Sequence, residues 1–110
     1  MAQAIGKLAL SKKAVDVRIL NLKKISDVTD YFVICSGDVS PHVKAISDNV
    51  KDGLKKKGIR PWHTEGYGNT NWVILDFVNV VLHIFTREAR DFYNLEDLWG
   101  DAPTDLLGDG

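Results

Sequence analysis

Apolar and polar positions follow one another along this chain in short blocks, each with a readable period. Ile5, Leu8 and Ala9 recur at helical spacing over residues 2–13, with lysines opposite. Residues 15–22 then alternate as a strand, one face wetted by Asp16 and Arg18. Residues 23–30 read as a loop or helical turn anchored by Ile25 and Val28. The run Tyr31-Phe32-Val33-Ile34-Cys35 is continuously apolar and rich in β-branched and aromatic residues, which predicts a strand buried on both faces. It stops at Ser36-Gly37-Asp38.

The clearest helix follows. Ser40 suits an N-cap and Pro41 the first helical position. Val43, Ile46, Val50 and Leu54 form one apolar stripe, and Lys55-Lys56-Lys57 oppose the negative end of the helix dipole before Gly58 closes it. Residues 59–64 form a short strand candidate entered through Arg60-Pro61, which places it near a sheet edge. Residues 65–71 are a polar loop. Strand candidates 72–77 and 80–85 make an antiparallel hairpin across Val78-Asn79. Thr86 caps a helix that starts at Arg87, carries Glu88 in its first turn and reaches about Tyr93. A last helical turn, 95–99, ends at Gly100, and the Gly-, Pro- and Asp-containing end is expected to fray. The order predicts an α/β fold of one domain over residues 1–102, a single mixed β-sheet with helices packed on it, and a flexible tail over 103–110. The long helix should cross over right-handed and cover one sheet face.

Composition sharpens this picture in two ways. Apolar residues at 45% and charged residues at 26% are ordinary for a folded domain, and no apolar run approaches the roughly 18 residues that span a membrane. The N-terminal residues lack the pattern of a secretory signal or transit peptide, and the single Cys35 excludes an internal disulfide, so a cytoplasmic location is expected. The near-zero net charge hides an asymmetry. Residues 1–60 carry 12 Lys/Arg against 6 Asp/Glu, and residues 61–110 carry 2 against 9. The acidic half suits a basic partner and the basic half could sit near phosphate, although both are equally compatible with solvated faces.

Catalytic chemistry finds little support. A mixed sheet of this order is similar to small nucleotidyl-transfer domains, whose two metals need carboxylates on one strand face. No two Asp/Glu stand two residues apart anywhere in the chain, and Asp76 is alone on its strand. Gly66-x-Gly68 lacks the Gly-Lys-Ser/Thr of a phosphate loop and reads as a turn. Cys35, His42, His63 and His83 show no metal-ligand spacing, and Cys35 reads as a small core residue. His83 is either a hydrogen-bonded core histidine or one that faces a partner, and the nearby Asn79 and Arg87 favour the second. The basic run 51–60 has no interleaved aromatics for stacking on nucleic acid and suits a solvated helix end. Trp72, Asp76, Asn79, Arg90, Tyr93 and Trp99, by contrast, crowd into one stretch, and Trp, Tyr and Arg are the residues that anchor protein interfaces.

These same residues carry a resemblance. Asp30-Tyr31-Phe32-Val33-Ile34, His42-Val43-Lys44-Ala45, Glu65-Gly66, Trp72-Val73-Ile74-Leu75-Asp76, Val80-Val81-Leu82-His83-Ile84-Phe85 and Arg90-Asp91-Phe92-Tyr93-x-Leu95-Glu96-x-Leu98-Trp99-Gly100-Asp101-Ala102 occur in the order and spacing of the ribosomal silencing factor, or Iojap-like, family. The resemblance implies a nucleotidyltransferase-like fold without transferase activity, metal or cofactor. It implies binding to the large ribosomal subunit through ribosomal protein uL14, steric blocking of small-subunit joining, and homodimers when free. It implies neither membrane contact nor sequence-specific nucleic-acid binding. The partner surface expected, from the outward half of the hairpin and the aromatic helix after it, is Trp72, Leu75, Asp76, Asn79, His83, Arg90 and Tyr93. The family commonly carries Gly then Asp in the hairpin connection where this chain has Val78-Asn79. Valine resists positive φ, so Asn79 is expected to take the left-handed position. The rival reading is a nucleotidyltransferase-like enzyme or nucleotide binder using the Ser36-Gly37 turn and Asp76, and a further one is an RNA-binding module using residues 51–60.

Overall fold

The two most apolar strands meet at the centre of the molecule. A computed structural model describes residues 1–66 and 71–108. In it β2 (Tyr31–Gly37) runs parallel to β5 (Val80–Thr86), with Tyr31 opposite Val80 and Gly37 opposite Thr86. β1 (Val15–Asn21) pairs antiparallel with the free edge of β2, and β4 (Trp72–Asp76) pairs antiparallel with β5. β3 (His63–Glu65) and β6 (Thr104–Leu107) form the two edges, so the strand order is β3-β4-β5-β2-β1-β6. The sheet is the mixed α/β sheet that the apolar pattern predicts, with one strand more, β6, than the pattern shows.

A parallel pair needs a long crossover, and α2 (Ser40–Lys55) is part of it. Its stripe of Val43, Ile46, Val50 and Leu54 is fully buried against one sheet face, together with Val33, Cys35, Val73, Leu75, Leu82 and Ile84. α1 (Ala2–Ser11) lies beside it and adds Ile5 and Ala9. His42 ties the two helices together. Its Nδ1 accepts from the Asp38 amide at 2.9 Å, which leaves Nε2–H to donate to the Lys12 carbonyl at 2.7 Å. The opposite sheet face receives only α3 (Arg87–Tyr93) and the single turn α4 (Leu95–Leu98). Thr86 caps α3 as expected, its hydroxyl accepting from the Ala89 amide.

Local details differ from the sequence reading. Val39, not Ser40, is the N-cap of α2, and the Ser40 hydroxyl donates to Asn71 instead. Ile25 and Val28 do not anchor their loop. Both are exposed, and the buried residues there are Leu22 and Thr29. β3 covers only the end of the expected 59–64 strand. The C-terminal segment, expected to be loose, pairs with β1 from Val17 opposite Leu107 to Leu20 opposite Thr104. The expected polar loop at 65–71, with Gly68, falls mostly on residues 67–70, which lie outside the described residues.

The β4–β5 connection departs most from expectation. Val78, not Asn79, takes the left-handed position, at φ +74°. The Asn79 amide donates to the Phe77 carbonyl at 3.0 Å across Val78, which makes a tight γ-turn of the strained hand. Two demands hold it there. The Asp76 carboxylate accepts from the Val78 amide at 2.8 Å, and the Asn79 carbonyl accepts from the amides of both Asp30 and Tyr31. A β-branched residue at positive φ costs on the order of 1–3 kcal/mol, and glycine there avoids that cost while losing up to about 1 kcal/mol in unfolded-chain entropy. Val78→Gly should therefore raise stability by about 1 kcal/mol, read as a higher urea midpoint at unchanged slope; a lower midpoint would show the turn to be unstrained.

Candidate functional site

Side chains alternate across β4, so Val73 and Leu75 point to the α1–α2 side while Trp72, Ile74 and Asp76 point to the other. Through the pairing register, Asp76 shares that front face with Val81 and Phe32, and Ile74 shares it with His83 and Ile34. At the α3 end the front face is closed. Leu20, Leu22, Ile34, Phe85, Ala89 and Ala102 form a second buried cluster, and the Trp72 ring stacks on Phe85 (4.8 Å) and meets Tyr93 (4.7 Å).

Arg90 fixes this closed end. Its guanidinium is buried beneath α3, where Nη1 donates to the Asp16 carbonyl (2.7 Å) and the Ser36 hydroxyl (3.0 Å), and Nε donates to Glu96 (3.0 Å). Asp16 sits at φ +51° where the register of β1 shifts, so its carbonyl is turned to the arginine. The Asp16 carboxylate approaches Nη2 at 3.4 Å and also takes the Nε–H of Arg18. Arg90 is thus structural rather than displayed.

The other end of the front face is open. An apolar groove of about 590 Å³ runs between Phe32, Val81 and His83 on its floor and Val28, Trp62, Val78 and Trp99 at its sides. Val28 is 87% exposed and Trp62 77%, both unusual for large apolar side chains with no covering element. Trp62 is held at the rim by its amide, which donates to the Asp76 carbonyl. Trp99 closes the α4 side and meets the Phe32 ring edge-on at 5.7 Å. Asp76 supplies the acidic group of the rim.

His83 is the polar group of the floor, only 6% exposed. The Trp72 indole N–H donates to its Nδ1 at 3.2 Å. Burial pushes the His83 pKa down to about 4. Burial likewise pushes the Cys35 thiol up to about 12, opposed in part by Arg90, so Cys35 is an inert core residue at neutral pH.

The expected surface set therefore divides. Asp76 and His83 line the groove, Trp72 and Tyr93 lie together outside it at the α3 end of the front face, where they line a separate cavity, and Asn79 is exposed in the turn beside Val78. Leu75 is 0% exposed on the covered face, and Arg90 is enclosed under α3. Phe92 and Leu98, on α3 and α4, are exposed. Sequence reasoning missed Val28, Phe32, Trp62 and Val81. The signal for Trp62 was present, a lone tryptophan in a polar stretch next to proline. Ser36 and Asp76 do not share a site, because Ser36 pairs with Phe85 and Asp76 with Val81, at opposite ends of β5. Among the described residues no three His, Cys, Asp or Glu side chains come together as a metal site, and no helix is long and apolar enough to cross a membrane.

Comparison with known proteins decides what kind of molecule carries this groove. The family model described as ribosomal silencing factor during starvation matches residues 1–109. The chain belongs to the ribosomal silencing factor family. It is 45% identical to ribosomal silencing factor RsfS of Halalkalibacterium halodurans over 93 residues, covering 84% of this chain and 80% of that protein. It is 44% identical to the RsfS of Bacillus subtilis over 92 residues, covering 84% and 78%. A crystal structure of a Bacillus halodurans protein superposes with a TM-score of 0.84 at 39% identity, covering 96% of this chain and 95% of that one. Members of the family are regulators rather than enzymes, which removes the nucleotidyltransferase alternative.

In this silencing-factor fold two buried polar groups have opposite consequences. His83 is neutral at pH 7 whether the chain is folded or not. Below its ordinary value of 6.5 the unfolded chain takes up a proton that the folded chain refuses until about pH 4, so stability falls as pH drops through that window. The loss that His83 contributes should approach about 3 kcal/mol at pH 4, seen as the part of the acid sensitivity of denaturation that His83→Asn abolishes. Removing the Arg90 guanidinium leaves the Asp16 carbonyl, the Ser36 hydroxyl and Glu96 without their donor. Arg90→Met should cost about 3 kcal/mol, measured by denaturant unfolding, and a cost within the noise of an exposed salt bridge would show that the clamp is dispensable.

Proposed function

We propose that this protein represses translation by occupying the large ribosomal subunit at ribosomal protein uL14, so that the small subunit cannot join. The front-face groove carries this reading. An apolar trough flanked by Trp62 and Trp99 and rimmed by Asp76 suits a protein surface with an apolar centre and basic surroundings. The relatives, ribosomal silencing factors by name, support the ribosome as the target. Blocking of this kind needs only tight, rigid placement, and nothing in it requires a reacting group. Repression takes place in the cytoplasm. Free copies pair as homodimers, for which Phe92 (81% exposed) and Leu98 on α3 and α4 offer apolar area outside the groove.

The surface is therefore redrawn from the sequence-based set. Trp72, Asp76, Asn79, His83 and Tyr93 stay on or beside it, Leu75 and Arg90 leave it, and Val28, Trp62 and Val81 enter. Val28→Glu changes a side chain that has no packing to lose, and Asp76→Arg reverses the rim charge. Each should weaken co-sedimentation with isolated bacterial large subunits at least tenfold and restore joining of small subunits in a reconstituted mixture. Lys56→Glu, at the far end of α2, should do neither. Retention of full binding by both groove variants would place the docking surface elsewhere.

A further inference from the structure

The floor of the groove holds a buried hydrogen-bond donor that none of the described residues uses. An indole N–H can only donate, so the bond from Trp72 requires His83 Nδ1 to be an unprotonated acceptor. A neutral imidazole with a bare Nδ1 carries its proton on Nε2. That Nε2 is buried and has no hydrogen-bond partner among the described residues. The Phe32 ring, 4.6 Å away by centroid and inclined at 67°, offers only a weak π acceptor. Buried donors are almost always satisfied, so an unpaired one in the floor of an open apolar groove marks the place of an absent acceptor.

Resting on the reading above, we propose that His83 Nε2–H is the specificity-determining donor of this surface. The segment that seats there is an apolar stretch of protein placing an uncharged carbonyl oxygen, main-chain or Asn/Gln amide, on Nε2. The rim decides the class of acceptor. Asp76 lies along the same groove, so an incoming carboxylate or phosphate would meet a like charge where an uncharged carbonyl meets none. The lining side chains Phe32, Val81 and Trp99 offer an apolar side chain its contacts. The bond forms only when the partner is seated. A partner with the right apolar shape and no acceptor would leave the donor stranded in a drier site than before, which is how a single polar group in an apolar pocket discriminates.

Two substitutions separate the roles of the ring nitrogens. In His83→Asn the amide oxygen takes the position of Nδ1 and keeps the Trp72 bond, but nothing reaches the position of Nε2. In His83→Gln the terminal NH2 reaches toward it. Equilibrium binding of the labelled full chain to isolated bacterial large subunits would be measured for both, beside Val28→Glu. A weakening of tenfold or more for His83→Asn, partly recovered in His83→Gln, is the expected result. Wild-type affinity in His83→Asn while Val28→Glu loses binding would overturn the donor and leave the groove standing. Undiminished binding by Val28→Glu and Asp76→Arg would overturn both. The imidazole 15N spectrum of the free wild-type protein adds a readout that no variant can confound. It should show the proton on Nε2 at neutral pH, and a proton on Nδ1 would overturn the proposal.

Discussion

The guanidinium of Arg90 decides how much of this sheet is left open. It reaches from α3 through the front face to the Asp16 carbonyl in the irregular part of β1, to the Ser36 hydroxyl near the end of β2 and to Glu96 in α4. Three segments far apart in sequence are thereby fixed to one charge. The bulge in β1, with Asp16 at positive φ, is the geometry that brings a backbone carbonyl within its reach. With α3 held over Phe85 and Ile34, Trp99 comes to rest against Phe32, and the covered part of the front face ends there. The groove begins where that cover stops. Its shape therefore depends on an ion-paired arginine that is itself enclosed beneath α3.

The two faces of the sheet obey different rules. Behind it, α1 and α2 bury a continuous apolar cluster, and every residue of the α2 stripe is fully enclosed. In front, a helix of seven residues and one of four cannot cover six strands. Phe32, Val81 and His83 have no described helix above them and form the floor of the groove. This division was partly legible in the sequence. The helical stripe of α2, the buried run of β2, the hairpin and the Thr86 cap follow from periodicity and capping chemistry. Trp72, Leu75 and Asp76 cannot share a face, because a strand sends odd and even positions to opposite sides, and the alternation of β4 placed Leu75 in the core. The expected surface treated all three as part of the outward half of the hairpin, and strand geometry keeps Trp72 and Asp76 together while removing Leu75.

What was not legible is non-local. β6 is a four-residue segment following proline, and its pairing depends on the free edge of β1, some ninety positions earlier. Gly6 lets it close, since a Cβ there would run into the Leu107 side chain. Val78 holds a conformation that its own preference opposes because the β4–β5 register, the Asp76 carboxylate and the amides of Asp30 and Tyr31 all specify the same turn. Arg90 looked like an interface anchor by residue type. Only the distant carbonyl of Asp16 and hydroxyl of Ser36 reveal it as a buried clamp.

The places where local rules are broken fall together. A β-branched residue at positive φ, a buried imidazole nitrogen without an acceptor and two large apolar side chains without cover all border the same trough. Sequences that fold well avoid such features, and where they persist in a cluster the surrounding structure is holding them for a use. The charge asymmetry adds to this. The acidic residues of α3 and α4 flank the front of the sheet, whereas the lysines of α1 and α2 lie on the helices behind it. On the proposed function, long-range attraction of a basic partner would orient the encounter toward the front, and the apolar floor would retain what arrives. Charge would then govern the rate of capture and the trough its duration, which is the division of labour that a steric block requires.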